Sequence, residues 1–546
     1  MKAFLLFKDK DLDPNQILMQ REMKPRAWET DEKLSLKQFL PWNEDALTKD
    51  LGLDILLSKM ANGDNFLYEA AKITVLSSLN NNETIIYRQG ILQDCIMHEA
   101  IVRNIYGLLL EAIAKEKTSH WWGLFSSPSS ILHESLDKLK MITEMLRKLR
   151  NFAEQNEEKF ASEGLKKLFK MLRQELSNDY LSIIQKYFEQ LEFEDGVLIS
   201  SELGTGNKGK NYILNKPYED NRNWFERLIQ KKLPGYTFEV SPRDEAGSRA
   251  LNELRNQGLN LVANALAQSA DHILSFFHAL RTELAFYIGC LNLHQHLNKL
   301  NKPACFPNPV KCGERKMSFA GLYDVNLAFQ SKADEPLDQS AGKKVVSNNL
   351  NADGKVLFII TGANTGGKST FMRSIGIAQL MMQAGMFVPA ELFTAEVHGS
   401  IITHFKREED TAMESGKFDE ELSRMNEIVE RIKPSSIVLL NESFAATNER
   451  EGSEIAKQIT LSLVESGIKV IFVTHQYEFA RGLYEKKMSN SIFLRAERLD
   501  DGTRTFRVLE GEPLQTSYGE DLYEKIFNQF SEKPSFQTKV QSIGKL

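Results

Sequence analysis

Residues 356–375, VLFIITGANTGGKSTFMRSI, restrict what this chain can fold into more than any other stretch. Gly362, Gly367, Lys368 and Ser369 satisfy the spacing G-x-x-x-x-G-K-[ST], with a hydrophobic run before it and a helix-like segment after it. Glycine lets the backbone curl so that successive amides point inward at an anion. A helix starting there presents its positive end to the same point. The pattern predicts a strand, loop and helix that cradle nucleotide phosphates, with Gly362, Gly367, Lys368 and Ser369 as its fixed positions. Lys368 is expected to reach the β- and γ-phosphates and the Ser369 hydroxyl to ligate Mg2+.

Such a loop needs a second strand carrying an acid, and SIVLLNES (436–443) follows about seventy residues later, a distance that suits an adjacent strand of the same sheet. Glu442 stands just past the apolar run, placed to orient or deprotonate an attacking water. Asn441 beside it is an amide, able to hydrogen-bond a metal-bound water without adding negative charge to the site. A third run, KVIFVTHQ, ends in Thr474 and His475, whose imidazole could contact a γ-phosphate. With VLFIIT (356–361), ITHF (402–405) and SIFLR (491–495), these short apolar strands alternate with helical segments from about residue 303. That texture predicts a parallel sheet covered on both faces.

The preceding half reads differently. Residues from about 35 to 190 follow a helical period, most clearly at Leu136, Leu139, Ile142, Leu146 and Leu149. Lys138, Lys148, Arg150, Lys166, Lys167, Lys170 and Arg173 are expected on the polar, solvated face, with a phosphate-tracking face as the minor alternative. GVLISSELGTGNKGKNYIL, near 194–215, predicts two short strands joined by a glycine-rich turn. It contains a formal GxGxxG, but the glycines lead into a strand-like KNYIL rather than a helix, so a hairpin turn is expected. Residues 245 to about 300 return to helix, and His272, His278, His294 and His296 there lack a carboxylate or cysteine at ligand spacing. The segment MKAFLLFKDKDLD at the start is read as a strand of the mature protein.

Length and composition narrow the class. The 546 residues suffice for several domains, and no apolar run approaches the roughly 20 residues that a membrane helix needs. Cys95, Cys290, Cys305 and Cys312 form no CxxC pair, which points to a reduced cytoplasm. A net charge of −6 does not advertise a nucleic-acid binder, although a local basic stripe would be invisible in the total.

TGANTGGKSTFMRSIGIAQLMMQAGMFVPAE resembles the phosphate-loop segment of the MutS family of DNA mismatch-repair ATPases. The resemblance continues through NESFAATNEREG, THQYEFA and TSYGEDL, and ETIIYRQGILQD (83–94) is similar to the Arg-Gln segment of that family's helical core. It implies a multidomain chain: an extension over 1–30, an α-helical core and lever region over 31–302 with a small β-hairpin insert, and an ABC-type α/β phosphate-loop NTPase domain over 303–546. It also implies ATP and Mg2+ as ligands, a homodimer and DNA as partners, and no membrane.

By position, the family pattern adds Ala363, Asn364, Thr365, Gly366 and Thr370 to the phosphate-binding loop, and makes Glu442 the catalytic carboxylate, His475 the sensor histidine, Ser369 and Asn441 the metal pair, and Ser415 and Gly416 the signature offered to the other subunit. Asn441 stands where the family usually has Asp, Lys417-Phe418-Asp419 replace a Ser-Thr-Phe run, and Val345 aligns with an adenine-stacking aromatic. A short, core-plus-ATPase member without the mismatch-reading domain is expected. Slow turnover, with nucleotide acting as a gate, is the alternative. A transporter engine or a coiled-coil ATPase would need an LSGGQ-like segment or a long insertion, and neither occurs between 370 and 436.

Overall fold

The computed structural model describes residues 2–9, 40–118, 127–193, 196–216, 239–331, 345–363, 366–407, 416–499 and 503–514. The chain divides into two compact units, residues 1–23 with 97–284 and residues 24–96 with 285–546.

The second unit begins with helices α1 (Glu44–Leu51), α2 (Leu53–Ala61), α3 (Asn65–Leu76) and α4 (Asn82–Met97), the last belonging to it as far as Ile96. Gly52, at φ 64°, ends α1 and opens α2, a left-handed corner that favours glycine. The Asn326 amide donates to the carbonyls of Leu51 and Gly52 at that corner. Asp64 caps α3 by accepting from the amides of Phe66 and Leu67, an interaction worth about 1 kcal/mol. Within α4, Arg88 and Gln89 point inward: Gln89 Nε2 donates to the Pro307 carbonyl and Arg88 Nη1 to that of Ala384.

The first unit holds α5 (Glu99–Thr118), α6 (Pro128–Asn156), α7 (Glu163–Glu175), α8 (Asn178–Leu191), strands β1 (Leu198–Leu203) and β2 (Gly209–Asn215), and the part of α9 (Glu245–Lys299) up to Leu284. Ser127 caps α6 and Pro128 occupies its first position, where a missing N–H costs nothing. Leu136, Leu139, Ile142, Leu146 and Leu149 are all buried. At roughly 1.5–3 kcal/mol per buried aliphatic side chain, that stripe outweighs any propensity term in holding the helix.

Lys148, Lys166, Lys167, Lys170 and Arg173 are exposed, as the polar-face reading expects. Arg150 departs from it. It is buried, with its guanidinium against Asn178 Oδ1 and 3.5 Å from Glu154. The Asn178 partner comes from α8, a tertiary pairing that the α6 pattern does not contain. β1 and β2 pair antiparallel, and the turn between them is a single 3-10 turn over Thr205–Asn207, closed by Gly204 N donating to Lys208 O. No helix opens after these glycines. The strand expected at the N-terminus does not form over residues 2–9: the amides of Leu5 and Leu6 donate to the Glu283 carboxylate rather than to a neighbouring strand.

After α9 come β3 (Asn308–Val310), β4 (Met317–Leu322), α10 (Val325–Gln330), β5 (Asn348–Asn351), β6 (Leu357–Thr361), α11 (Lys368–Gln383), β7 (Leu392–Glu396) and β8 (Ile401–Phe405). There follow α12 (Lys417–Arg431), β9 (Ile437–Asn441), α13 (Glu449–Glu465), β10 (Lys469–Val473), α14 (Tyr477–Tyr484), β11 (Ser491–Arg498) and β12 (Arg504–Glu510).

One sheet has the order β12-β11-β6-β10-β9-β8, parallel except for the antiparallel β12 edge, and a second has the order β3-β7-β4-β5. All residues of β6, β8 and β10 are buried, including Thr403, His404 and Lys469, as expected of strands covered on both faces. The expectation that β9 lies directly beside β6 is corrected. Val470–Val473 of β10 pair with Leu357–Ile360 on one side, and β10 pairs with β9 on the other. Gly376 lets α11 approach closely, since a Cβ there would lie 2.7 Å from Leu439 Cδ1 and 2.9 Å from Leu51 Cδ2.

Candidate nucleotide site

Buried strand β6 delivers the chain into the glycine loop. Gly362 (φ 123°) and Gly367 (φ 90°) occupy backbone conformations that L side chains rarely adopt, which is why glycine stands at both. Gly366 N donates to Ala363 O, and Phe371 N to Gly367 O, so α11 starts at Lys368 with Ser369 and Thr370 in its first turn. Asn364 and Thr365 lie outside the described residues.

The Lys368 side chain is buried and folds into its own loop, where Nζ donates to Gly362 O at 2.8 Å and Ala363 O at 2.9 Å. Burial holds the ammonium below the usual lysine range; Glu442 opposes that shift and Arg504 adds to it. A desolvated cation is stabilised by any anion that enters the loop beside it.

At the end of β9, Asn441 Oδ1 accepts a 2.9 Å hydrogen bond from Ser369 Oγ. Both are hard oxygen donors of the kind Mg2+ takes, so this pair would be the residues that hold the ion. Both oxygens are neutral.

Glu442 leaves the strand at φ 52°, its amide bonded to Val473 O. His475 is the main cause of a lowered carboxyl pKa, with burial opposing and Lys368 and Lys406 assisting. His475 Nδ1 lies 3.8 Å from Glu442 Oε1, farther than a hydrogen bond. The turn carrying His475 is anchored by Thr474 N on Ile360 O and by Gln476 N on Thr474 Oγ1.

The expected residues Lys368, Ser369, Asn441, Glu442 and His475 thus stand at the C-terminal ends of β6, β9 and β10. Gly366, Gly367, Lys368, Ser369, Thr370 and Glu442 line a cavity of about 450 Å³. Val346, next to the Val345 singled out from sequence, is on its wall, and so is the ring of Phe506 from β12. Sequence reasoning missed Phe506. Its signal was the Asp501-Gly502 dipeptide between two strand-like runs, a hairpin cue that would have put β12 beside β11.

Also missed was Asp324, which caps α10 through Leu327 N and accepts from Arg373 Nε on the cavity wall. Gly416, the N-cap of α12, is absent from the lining, and Ser415 lies outside the described residues. Among the described residues no group of three His, Cys, Asp or Glu could hold a metal ion, and no helix is long and apolar enough to cross a membrane.

A buried strand, a glycine loop, a helix and an acid-bearing strand around a cavity at the ends of parallel strands define a phosphate-loop nucleotide-binding fold. Comparison with known families narrows the class. Residues 80–300 match the MutS2 N-terminal domain and residues 358–528 match MutS domain V. The chain belongs to the MutS family.

Among similar proteins, DNA mismatch repair protein MutS of Thermotoga neapolitana is 34% identical over 188 residues, covering 34% of this chain and 23% of that protein. Endonuclease MutS2 of Pediococcus pentosaceus is 30% identical over 225 residues, 41% of this chain and 28% of that protein. MutS protein homolog 4 of Mus musculus is 32% identical over 139 residues, 26% of this chain and 14% of that protein. The matched region spans about a quarter or less of the length of most of these relatives.

Proposed function

We propose that this chain is an ATP-binding and ATP-hydrolysing protein that acts on DNA as a homodimer, in mismatch repair or in recognition of another DNA structure. The observation that carries the reading is the convergence of Lys368, Ser369, Asn441, Glu442 and His475 at one end of one sheet. Names of relatives such as DNA mismatch repair protein MutS support the DNA part. The proposed layout is an extension over 1–30, a helical core and lever over 31–302 with the β1–β2 hairpin, and the ATPase domain over 303–546. A cytoplasmic location goes with it.

In the proposed reaction, Lys368 exchanges the carbonyls of Gly362 and Ala363 for the β- and γ-phosphates of ATP. Ser369 and Asn441 would hold Mg2+, which when bound would supply positive charge beside the phosphate oxygens. Glu442, ionised at neutral pH, orients a water and accepts its proton as the water oxygen bonds to the γ-phosphorus and the bond to ADP breaks. His475 keeps that carboxylate oriented and faces the transferring group. Preorganised charge from Lys368 and the loop amides stabilises the transition state. The Ser415–Gly416 segment reaches the nucleotide of the second subunit.

A second reading is a nucleotide-gated clamp with slow turnover. The neutral Ser369–Asn441 pair favours it, because Asn441 brings no charge to the metal.

The test is the ATPase rate of the full chain with mismatched, branched and plain duplex DNA over a salt series. A rate that responds to DNA, with a response that weakens steeply as salt rises, supports the proposal. No turnover, together with no response to any of the three DNAs, would sink it.

A further inference from the structure

The turn carrying Glu442 is strained and clamped from one side. Glu442 (φ 52°) and Phe444 (φ 63°) are both left-handed, with Ser443 between them. Two such side-chain-bearing residues within three positions cost roughly 1 kcal/mol or more each and persist only where their surroundings over-determine them.

The surroundings are specific. Ser443 and Phe444 are buried, and Ser443 Oγ lies 2.7 Å from both His404 Nδ1 and the His404 carbonyl oxygen. His404, fully buried on β8, has Nε2 3.1 Å from the Glu421 carbonyl of α12. The Ser443 hydroxyl donates its one hydrogen to the His404 carbonyl, while the two ring nitrogens of His404 contact Ser443 Oγ and the Glu421 carbonyl. The Phe444 ring stacks on the imidazole at 5.6 Å and 21°. Gln476 Nε2 donates to Phe444 O, and a Cβ at Gly452 would come within 2.3 Å of that oxygen.

We propose that His404 and Ser443 are positioning residues for the Glu442 carboxylate, locking the left-handed turn that aims it at the cavity. The inference rests on the ATPase reading above and extends it to two residues to which the sequence analysis gave no role. A carboxylate that must line up a water loses rate when its turn loosens, whereas ATP, held by the loop on β6, is not released.

The experiment compares kcat, KM, equilibrium ATP affinity and thermal unfolding in the full chain and in Ser443→Ala, His404→Asn and His404→Gln. Ser443→Ala is expected to lower kcat about tenfold or more, with KM and ATP affinity within about twofold of the parent. His404→Asn keeps a polar atom at the Nδ1 position and retains most of the turnover. His404→Gln reaches toward Glu421 instead, leaves Ser443 without its ring partner and falls as Ser443→Ala does. A purely structural role would depress the unfolding midpoint of both histidine variants without separating their kcat values, and that outcome overturns the proposal. Unchanged kcat in Ser443→Ala beside an active parent overturns this proposal alone. An inactive parent overturns the ATPase reading and this inference with it.

Discussion

Ser369 Oγ donates a 2.9 Å hydrogen bond to Asn441 Oδ1, tying the first turn of α11 to the end of β9 with two neutral groups. A carboxylate at 441 would add a negative charge where a divalent cation is to bind, tightening the metal and strengthening its pull on the phosphates. Asn441→Asp is therefore expected to raise ATP turnover about tenfold or more while ATP affinity changes little. Steady-state rates at saturating Mg2+, beside equilibrium ATP binding, check it. High turnover in the unaltered chain with no gain in the variant would remove the slow-gate reading.

Gly416 caps α12 at φ −64°, and among the described residues no atom lies within 4 Å of where its Cβ would be. Nothing within one described chain requires glycine there. If the proposed dimer forms, Gly416→Ala is expected to leave the unfolding midpoint of the chain unchanged and to lower turnover through the proposed contact with a second subunit. The check is the concentration dependence of the ATPase rate beside a melting curve. A variant that melts early with normal turnover contradicts the assignment.

Burial holds the His398 and His404 imidazoles at about 4, with Lys469 acting in the same direction on the first and Arg424 on the second. In an unfolded chain they titrate near 6.5. Between those values the unfolded chain binds protons that the native chain does not, so stability falls as pH drops from about 6.5 toward 4 and is unaffected above that window. At pH 5 each histidine costs about 2 kcal/mol relative to pH 8. Unfolding midpoints at pH 8 and pH 5 should differ less in a His398→Gln, His404→Asn double variant than in the parent. Equal slopes in the two chains would rule the histidines out as the cause.

Gly385 follows α11 at φ 81°, and a Cβ there would sit 2.5 Å from Arg88 Cβ. Gly385→Ala should destabilise the second unit by about 2 kcal/mol or more, from backbone strain and from pressure on a fully buried arginine. Urea unfolding followed by tryptophan fluorescence measures it. A shift below about 0.5 kcal/mol would mean that the Arg88 helix yields without cost.

The phosphate loop was legible because its chemistry is local: two left-handed glycines, a lysine and a hydroxyl within eight residues of chain, Gly362 to Ser369. Strands β6 and β9 were legible because a strand buried on both faces reads as a nearly unbroken apolar run, and β8, β10 and β11 because each carries a shorter apolar run between helical segments. Strand order was not, since β10 sits between β6 and β9 through crossovers whose pairing no local pattern encodes. The sheet β3-β7-β4-β5 was missed because NPV and NNLN carry proline and asparagine instead of alternating apolar residues. Arg150 was misplaced because its partner Asn178 comes from another helix. The clamp on Glu442 was hidden for the same reason: His404 and Ser443 belong to different strand ends and meet only in the folded sheet.

The most direct measurement is ATP affinity and turnover, side by side, in Lys368→Ala and Glu442→Gln. Lys368 lies inside the phosphate loop, whereas Glu442 lies beyond the end of β9 beside His475. Lys368→Ala is predicted to abolish nucleotide binding, and Glu442→Gln to bind ATP as the parent does with turnover lost by at least about a hundredfold. Equal loss of ATP affinity in both variants, or normal turnover in Glu442→Gln, would contradict the assignment of these residues to binding and to hydrolysis.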